Sequence, residues 1–229
     1  MEKVIIRPNI SVGPRRKTSV EEVCKKVLTN RENARVILFP GIGRNIEKST
    51  LTVEVARFLA ESGHKVLIID TDMRRDKLTG ILNPEKTGQE MIYGLGEYLS
   101  GSKSIDNILC MTSESGLFAV FAGKSDEDPI ELLTDNQLLE LVNLGIRYFD
   151  YVLLDCAPAD RFKDAEIIST CVDAVIPVVV WEQTEGKAIR KISSVFSKIG
   201  VPDLGCILVD VPSGKSLIGR YYRMLLGNK

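Results

Sequence analysis

"RVILFPGIGRNIEKSTLTVEVARFLAESGHKVLIID", residues 35–70, decides the architecture in a single run. The apolar stretch at 35–39 is a candidate interior strand. It enters a loop built on Pro40, Gly41 and Gly43. A helix then begins near Ser49, with Leu51, Val55 and Leu59 on one face, and Gly63 is placed to close it with a left-handed C-cap. "KVLIID" at 65–70 is a second strand of the same kind. Strands that are apolar on both faces and joined through a helix belong in a parallel sheet covered on both sides.

The alternation continues outward. "GLFAVFAG" at 116–123, "YVLLD" at 151–155, "AVIPVVV" at 174–180 and "GCILVD" at 205–210 supply four more strands. Between them lie "GLGEYLSG" at 94–101, one kinked helix or two helices at 129–150, a short helix at 164–172 and an amphipathic one at 184–200. Upstream, Ser19 can cap a helix that carries Glu21 and Glu22 in its first turn and ends near Asn30. The expected fold class is α/β: a mostly parallel central sheet flanked by helices in three layers. It spans residues 18–229 as one domain, behind an extended N-terminal arm at 1–17.

Composition narrows the partners. The 229 residues are 44% hydrophobic and 27% charged, with a net charge of -1, so no general attraction to nucleic acid is expected. Cys24, Cys110, Cys156, Cys171 and Cys206 form no CxxC pair, and His64 is the single histidine. This reads as reduced thiols in a cytoplasmic protein, not a zinc site. The opening "MEKVIIRPN" has no secretory character, and the apolar runs are too short to span a bilayer. Membrane association is therefore expected only peripherally, through a partner.

The loop at 39–50 holds the parts of a phosphate cradle in altered spacing. An ordinary one reads G-x-x-x-x-G-K-[ST], with backbone amides wrapping the phosphates and a lysine adding positive potential. Counting back from Lys48 finds Glu47 and Ile42 where the glycines belong. In one register Gly41 and Gly43 make the turn, residues 44–47 bulge, and Lys48, Ser49 and Thr50 keep working positions. In the other, "RNIEKST" forms the cradle with Glu47 beside the phosphates. Both weaken anion binding, and a plain connecting loop is the bland alternative.

Asp70, Asp72 and Asp155 stand at strand carboxyl ends, where ligands of open α/β sheets collect. A carboxylate there can hold magnesium through water, orient an attacking hydroxyl, or simply cap the next turn. Arg74 and Arg75 follow on the same loop, able to engage phosphate or a partner. "VPSGKS" at 211–216 lacks the earlier glycine and reads as a turn into a final helix.

With these residues in hand, the sequence resembles the bacterial tyrosine kinases of capsule and exopolysaccharide synthesis, relatives of the MinD/ParA group of P-loop ATPases. "VILFPGIG…KST", "KVLIIDTDMRR" and "FDYVLLDCAPA" resemble its three nucleotide motifs, the first with an insertion. "GLGEYLSG", "DPIELLTDNQLLELV", "VDAVIPVVVWEQTEGKAIRKI" and "LGCILVDV" are similar to its scaffold segments. The resemblance implies ATP and Mg²⁺ as cofactors. It makes Lys48 the phosphate lysine, with Gly41, Gly43, Arg44, Ser49 and Thr50 as further nucleotide contacts and Ser49 or Thr50 the magnesium hydroxyl. Asp70 and Asp72 become the second-motif carboxylates, one of them linked to the metal or positioning the tyrosine hydroxyl, and Asp155 the Walker B acid, which with Ser49 places magnesium. It also implies a membrane-embedded polysaccharide co-polymerase or adaptor as partner and a location at the inner face of the membrane.

A homo-oligomeric ring in this family uses Glu-x-x-Arg-x-x-Arg, and the matching positions here are Glu22, Lys25 and Leu28. The tail "GRYYRMLLGNK" offers Tyr221 and Tyr222 either for phosphorylation between subunits or as part of a terminal amphipathic helix. Altered loops on a retained scaffold leave a catalytically degenerate regulatory homologue as the alternative. A ParA/MinD-like positioning ATPase is the weaker one, because no lysine occupies residues 39–47.

Overall fold

A computed structural model describes residues 2–3, 5–6, 14–30, 32–43, 48–85, 91–180, 184–209 and 221–224. Its centre is a pair of parallel strands, Val66–Asp70 and Tyr151–Asp155, aligned from Val66↔Tyr151 to Asp70↔Asp155. Val36–Phe39 adds to the far side of Tyr151–Asp155, and Leu117–Val120 to the far side of Val66–Asp70, both parallel. Ala174–Val175 flanks Val36–Phe39. Every residue of the three central strands is buried, as expected of strands covered on both faces.

Alternate side chains serve opposite layers. Ile37, Phe39, Val66, Ile68 and Leu153 pack with Val20, Val23 and Val27 of the helix Pro14–Thr29 and with Leu51, Val55 and Leu59 of the helix Lys48–Glu61. Val36, Leu38, Leu67, Ile69, Val152 and Leu154 face Leu138, Leu141 and Val142 of the helix Asn136–Tyr148, and Ile192 and Phe196 of the helix Gly186–Ile199. The sheet is thus the middle of three layers, mostly parallel, in agreement with the expected α/β class.

Prolines interrupt the sheet without ending it. The strand Val36–Phe39 resumes as Gly41–Ile42 after Pro40, and Ala174–Val175 resumes as Val178–Val180 after Pro177. Ile176 N donates to Leu38 O (2.9 Å) and Val178 N to Pro40 O (2.8 Å), so pairing runs across the break. Proline lacks the amide that would complete the ladder. The expected single strand at 174–180 is therefore two.

Other expectations shift at the chain ends. The first helix starts at Pro14, not Ser19, since proline's fixed φ suits a first helical turn. Within the arm, Glu2–Lys3 pairs parallel with Cys110–Met111, and Ile5–Ile6 pairs antiparallel with Pro84–Glu85. Cys110–Met111 also forms an antiparallel hairpin with Leu117–Val120, an element too short to show a pattern in the sequence. The tail corrects the expected terminal helix: Tyr221–Met224 is a strand, antiparallel to Cys206–Val209. Adjacent tyrosines favour strand, and Cys206–Val209 would otherwise present an unpaired edge there.

Helix Asn136–Tyr148 approaches the sheet closely at Gly145. A Cβ there would lie 2.9 Å from Val152 Cγ2, a stiff β-branched side chain locked in the central strand. Alanine gains about 1 kcal/mol of helix propensity but overpacks the core by about 1–3 kcal/mol. Gly145→Ala is expected to lower the unfolding free energy by about 1 kcal/mol net, read from urea melts.

Candidate functional site

The parallel register of the central strands sets two carboxylates side by side. Asp70 and Asp155 are paired residues at the strand ends, and both are fully buried. Lys48 opens the helix Lys48–Glu61, is 5% exposed, and donates from Nζ to Asp155 Oδ1 in a close ion pair. Thr52 lies one turn further along, fully buried, with Oγ1 3.0 Å from Lys48 O and 3.3 Å from Asp155 Oδ1. The sequence reading missed Thr52; its i+4 spacing from Lys48 was the available signal.

The second loop is organised by Asp70. Its Oδ1 accepts from Asp72 N (3.0 Å) and its Oδ2 from Leu78 N (3.2 Å), so both oxygens are engaged in closing the turn. Thr71 donates from its amide and its hydroxyl to Asp155 O, each at 2.7 Å, which locks this loop to the neighbouring strand end. Asp72 is 2% exposed, and its carbonyl oxygen accepts from Arg75 N at 3.1 Å and Asp76 N at 3.3 Å. Among the described residues, Asp72 Oδ1 and Asp155 Oδ2 are buried without a hydrogen-bond partner.

Gly41, Gly43, Lys48 and Ser49 line one small cavity, of about 20 Å³, together with Asp72, Arg75 and Lys77. The structure therefore gathers four of the expected nucleotide contacts and one expected carboxylate around a single space. Thr50 occupies the same first helical turn without lining it. Arg44 and the rest of 44–47 lie outside the described residues. Arg75 and Lys77 bring positive charge that a search for the loop motif alone does not find.

Charge balance follows from this geometry. Burial pushes Lys48 toward neutrality, but the Asp155 carboxylate leads a group of interactions that outweigh it and hold the ammonium above its ordinary value. Burial first, and then the Asp155 charge, raises Asp70 well above the carboxylate range, against Lys48 and the two amides. Burial likewise raises Asp72, with Lys48 opposing and Asp155 adding to the rise. Cys156 follows Asp155 directly, yet burial pushes its thiol far up, so it offers no reactive thiolate. All five cysteines are free thiols.

Two buried, unpartnered carboxylate oxygens beside a serine hydroxyl make a hard-oxygen donor set that suits a divalent cation. Among the described residues no three His, Cys, Asp or Glu side chains form a metal cluster. Magnesium takes one or two carboxylates and completes its shell with water and phosphate oxygens. Ser49, Asp155 and Asp72 fit it, and Asp70, whose two oxygens each accept one amide, keeps further lone pairs toward the same site.

This arrangement can be set beside known proteins. A family model described as an AAA domain matches residues 41–200. The tyrosine-protein kinase CpsD of Streptococcus pneumoniae is 29% identical over 185 residues, covering 81% of this chain and 80% of that one. The BceF tyrosine kinase domain superposes with a TM-score of 0.75 at 29% identity, over 86% of this chain and 78% of that one. The kinase domain of Escherichia coli tyrosine kinase ETK shares the fold, with a TM-score of 0.78 at 21% identity, over 88% of this chain and 79% of that one. The chain belongs to the bacterial capsular and exopolysaccharide tyrosine-kinase family. Leu28, partly buried, packs against the core beneath helix Pro14–Thr29.

The raised Asp72 carboxyl predicts a pH signature. A group whose folded pKa lies above its unfolded value costs stability as pH rises from about 4 through the folded pKa. Without added metal, Asp72→Asn is expected to be more stable than the parent at neutral pH. The gap should close as pH falls to about 4, measured by urea melts across the range.

Proposed function

We propose that the protein binds Mg²⁺–ATP at this strand-end mouth, more weakly than an ordinary phosphate loop would, and passes the terminal phosphoryl group to a tyrosine hydroxyl. One observation carries the reading: Lys48 and the unpartnered oxygens of Asp72 and Asp155 converge at the start of one helix. Lys48 would exchange Asp155 for the phosphates, keeping its charge paired throughout. Ser49, Asp155 and Asp72 would hold the metal, whose role when bound is to neutralise phosphate charge. Asp72 lines the same cavity as Lys48 and Ser49, where its carboxylate, holding the metal through water, would also take the proton of the incoming hydroxyl. Weak affinity follows from Glu47 and Ile42 at the glycine positions, and from an ion pair that must open before phosphate can bind.

Family membership supports the wider setting. We infer a cytoplasmic protein acting at the inner face of the membrane through a membrane-embedded polysaccharide co-polymerase or adaptor, with self-association weakened at Lys25 and Leu28. Tyr221 and Tyr222, the candidate acceptors, lie on a strand at the sheet edge.

Calorimetric titration is expected to show Mg²⁺–ATP binding in the micromolar-to-millimolar range, and no heat up to millimolar ligand would overturn the reading. Lys48→Ala should abolish both binding and turnover. It also strands Asp155, so a stability loss of about 3–5 kcal/mol is expected alongside, and Lys48→Met with Asp155→Asn gives a folded control. Intact mass after incubation with ATP should show added phosphate. Binding without it would favour the second reading, a regulatory homologue without turnover, which the engagement of Lys48 by Asp155 already favours over a fast enzyme.

A further inference from the structure

Beside the site, Arg74 reaches Asp164 with a two-pronged contact: Nε to Oδ2 and Nη2 to Oδ1, both at 3.2 Å. Asp164 is fully buried and opens the helix Asp164–Ile168. The guanidinium carbon lies 4.5 Å from the Phe162 ring centroid, which fixes the plane of the group as well as its charge. We propose that Arg74 and Asp164 form a positioning clasp that sets the spacing between the metal-facing oxygens of Asp72 and Asp155, an inference that rests on the site being a magnesium–nucleotide site.

The connections run through the backbone. Arg74 sits two residues after Asp72, inside a turn closed by Arg75 N and Asp76 N donating to Asp72 O at 3.1 and 3.3 Å, so holding its side chain also holds the turn that carries the Asp72 carboxylate. On the other side, Asp164 ends the segment that leaves Asp155, and within that segment Ala159 N donates to Gly41 O at 2.8 Å. One ion pair thereby links the second carboxylate loop, the Walker B segment and the glycine turn. A buried ion pair is a poor source of net stability, because desolvation offsets most of its attraction. Its geometry here, a planar fork on a buried carboxylate, constrains orientation above all. Lysine at position 74 would supply charge without the fork.

Arg74→Met alone would leave Asp164 as a buried unpaired charge, so the test is the double variant Arg74→Met/Asp164→Asn, with Arg74→Lys beside it. ADP affinity is measured by calorimetry in chelator and in Mg²⁺, Mn²⁺ binding in the presence of ADP by electron paramagnetic resonance, and folding by urea melts. The double variant is expected to keep its melting midpoint and its metal-free ADP affinity within about twofold. Its metal-dependent gain in affinity should fall at least about tenfold, the usual cost of losing an outer-shell partner, and Arg74→Lys should restore only part of it. An unchanged metal-dependent gain overturns the clasp, as does a proportional loss with and without metal, which marks a purely structural pair. If the parent protein itself shows no nucleotide binding, the proposed function falls and the clasp with it. A binding parent with an unaffected variant removes the clasp alone.

Discussion

Parallel pairing of Val66–Asp70 with Tyr151–Asp155 puts two carboxylates next to each other in a dry interior, and much of the surrounding structure follows from making that arrangement bearable. Like charges at that proximity cannot both remain ionised without compensation. Lys48 neutralises Asp155, two backbone amides engage Asp70, whose carboxyl burial holds above its ordinary value, and Thr71 ties the strand ends together. The same contacts close the loop at 71–78 and fix the start of helix Lys48–Glu61. Fold and site are therefore one constraint, held at the centre of the sheet.

What remains uncompensated is informative. Asp72 Oδ1 and Asp155 Oδ2 are desolvated without partners, at a cost of about 1–3 kcal/mol each. A scaffold built only for stability would have replaced them with apolar groups. Lys48 is likewise committed to a buried partner. On the proposed reading a phosphate group would have to displace that partner, and the work of separating the pair would lower affinity in addition to the missing glycines.

The central strands, the helices that cover them and the three strand-end carboxylates were legible because continuous apolar runs and their punctuation survive in a single sequence. Helix Pro14–Thr29 began earlier than its polar residues implied, since a proline at the first turn costs nothing there. The hairpin at Cys110–Met111 and the tail strand at Tyr221–Met224 were not legible; each is created by an edge elsewhere in the sheet. Thr52, Lys77 and Asp164 escaped for a similar reason, as no motif spacing joins them to the residues they serve.

The sequence by itself determined the layered α/β plan, the order of its elements and the family, because periodicity and strand–loop–helix grammar are local properties of the chain. Tertiary structure alone decided which charge meets which. Only the register of strands eighty-five residues apart places Asp70 beside Asp155 (Asp70↔Asp155), commits Lys48 to one carboxylate and leaves two oxygens open. Coulombic and desolvation energies depend on distance and burial in space, and these are not written in the spacing of residues along the chain.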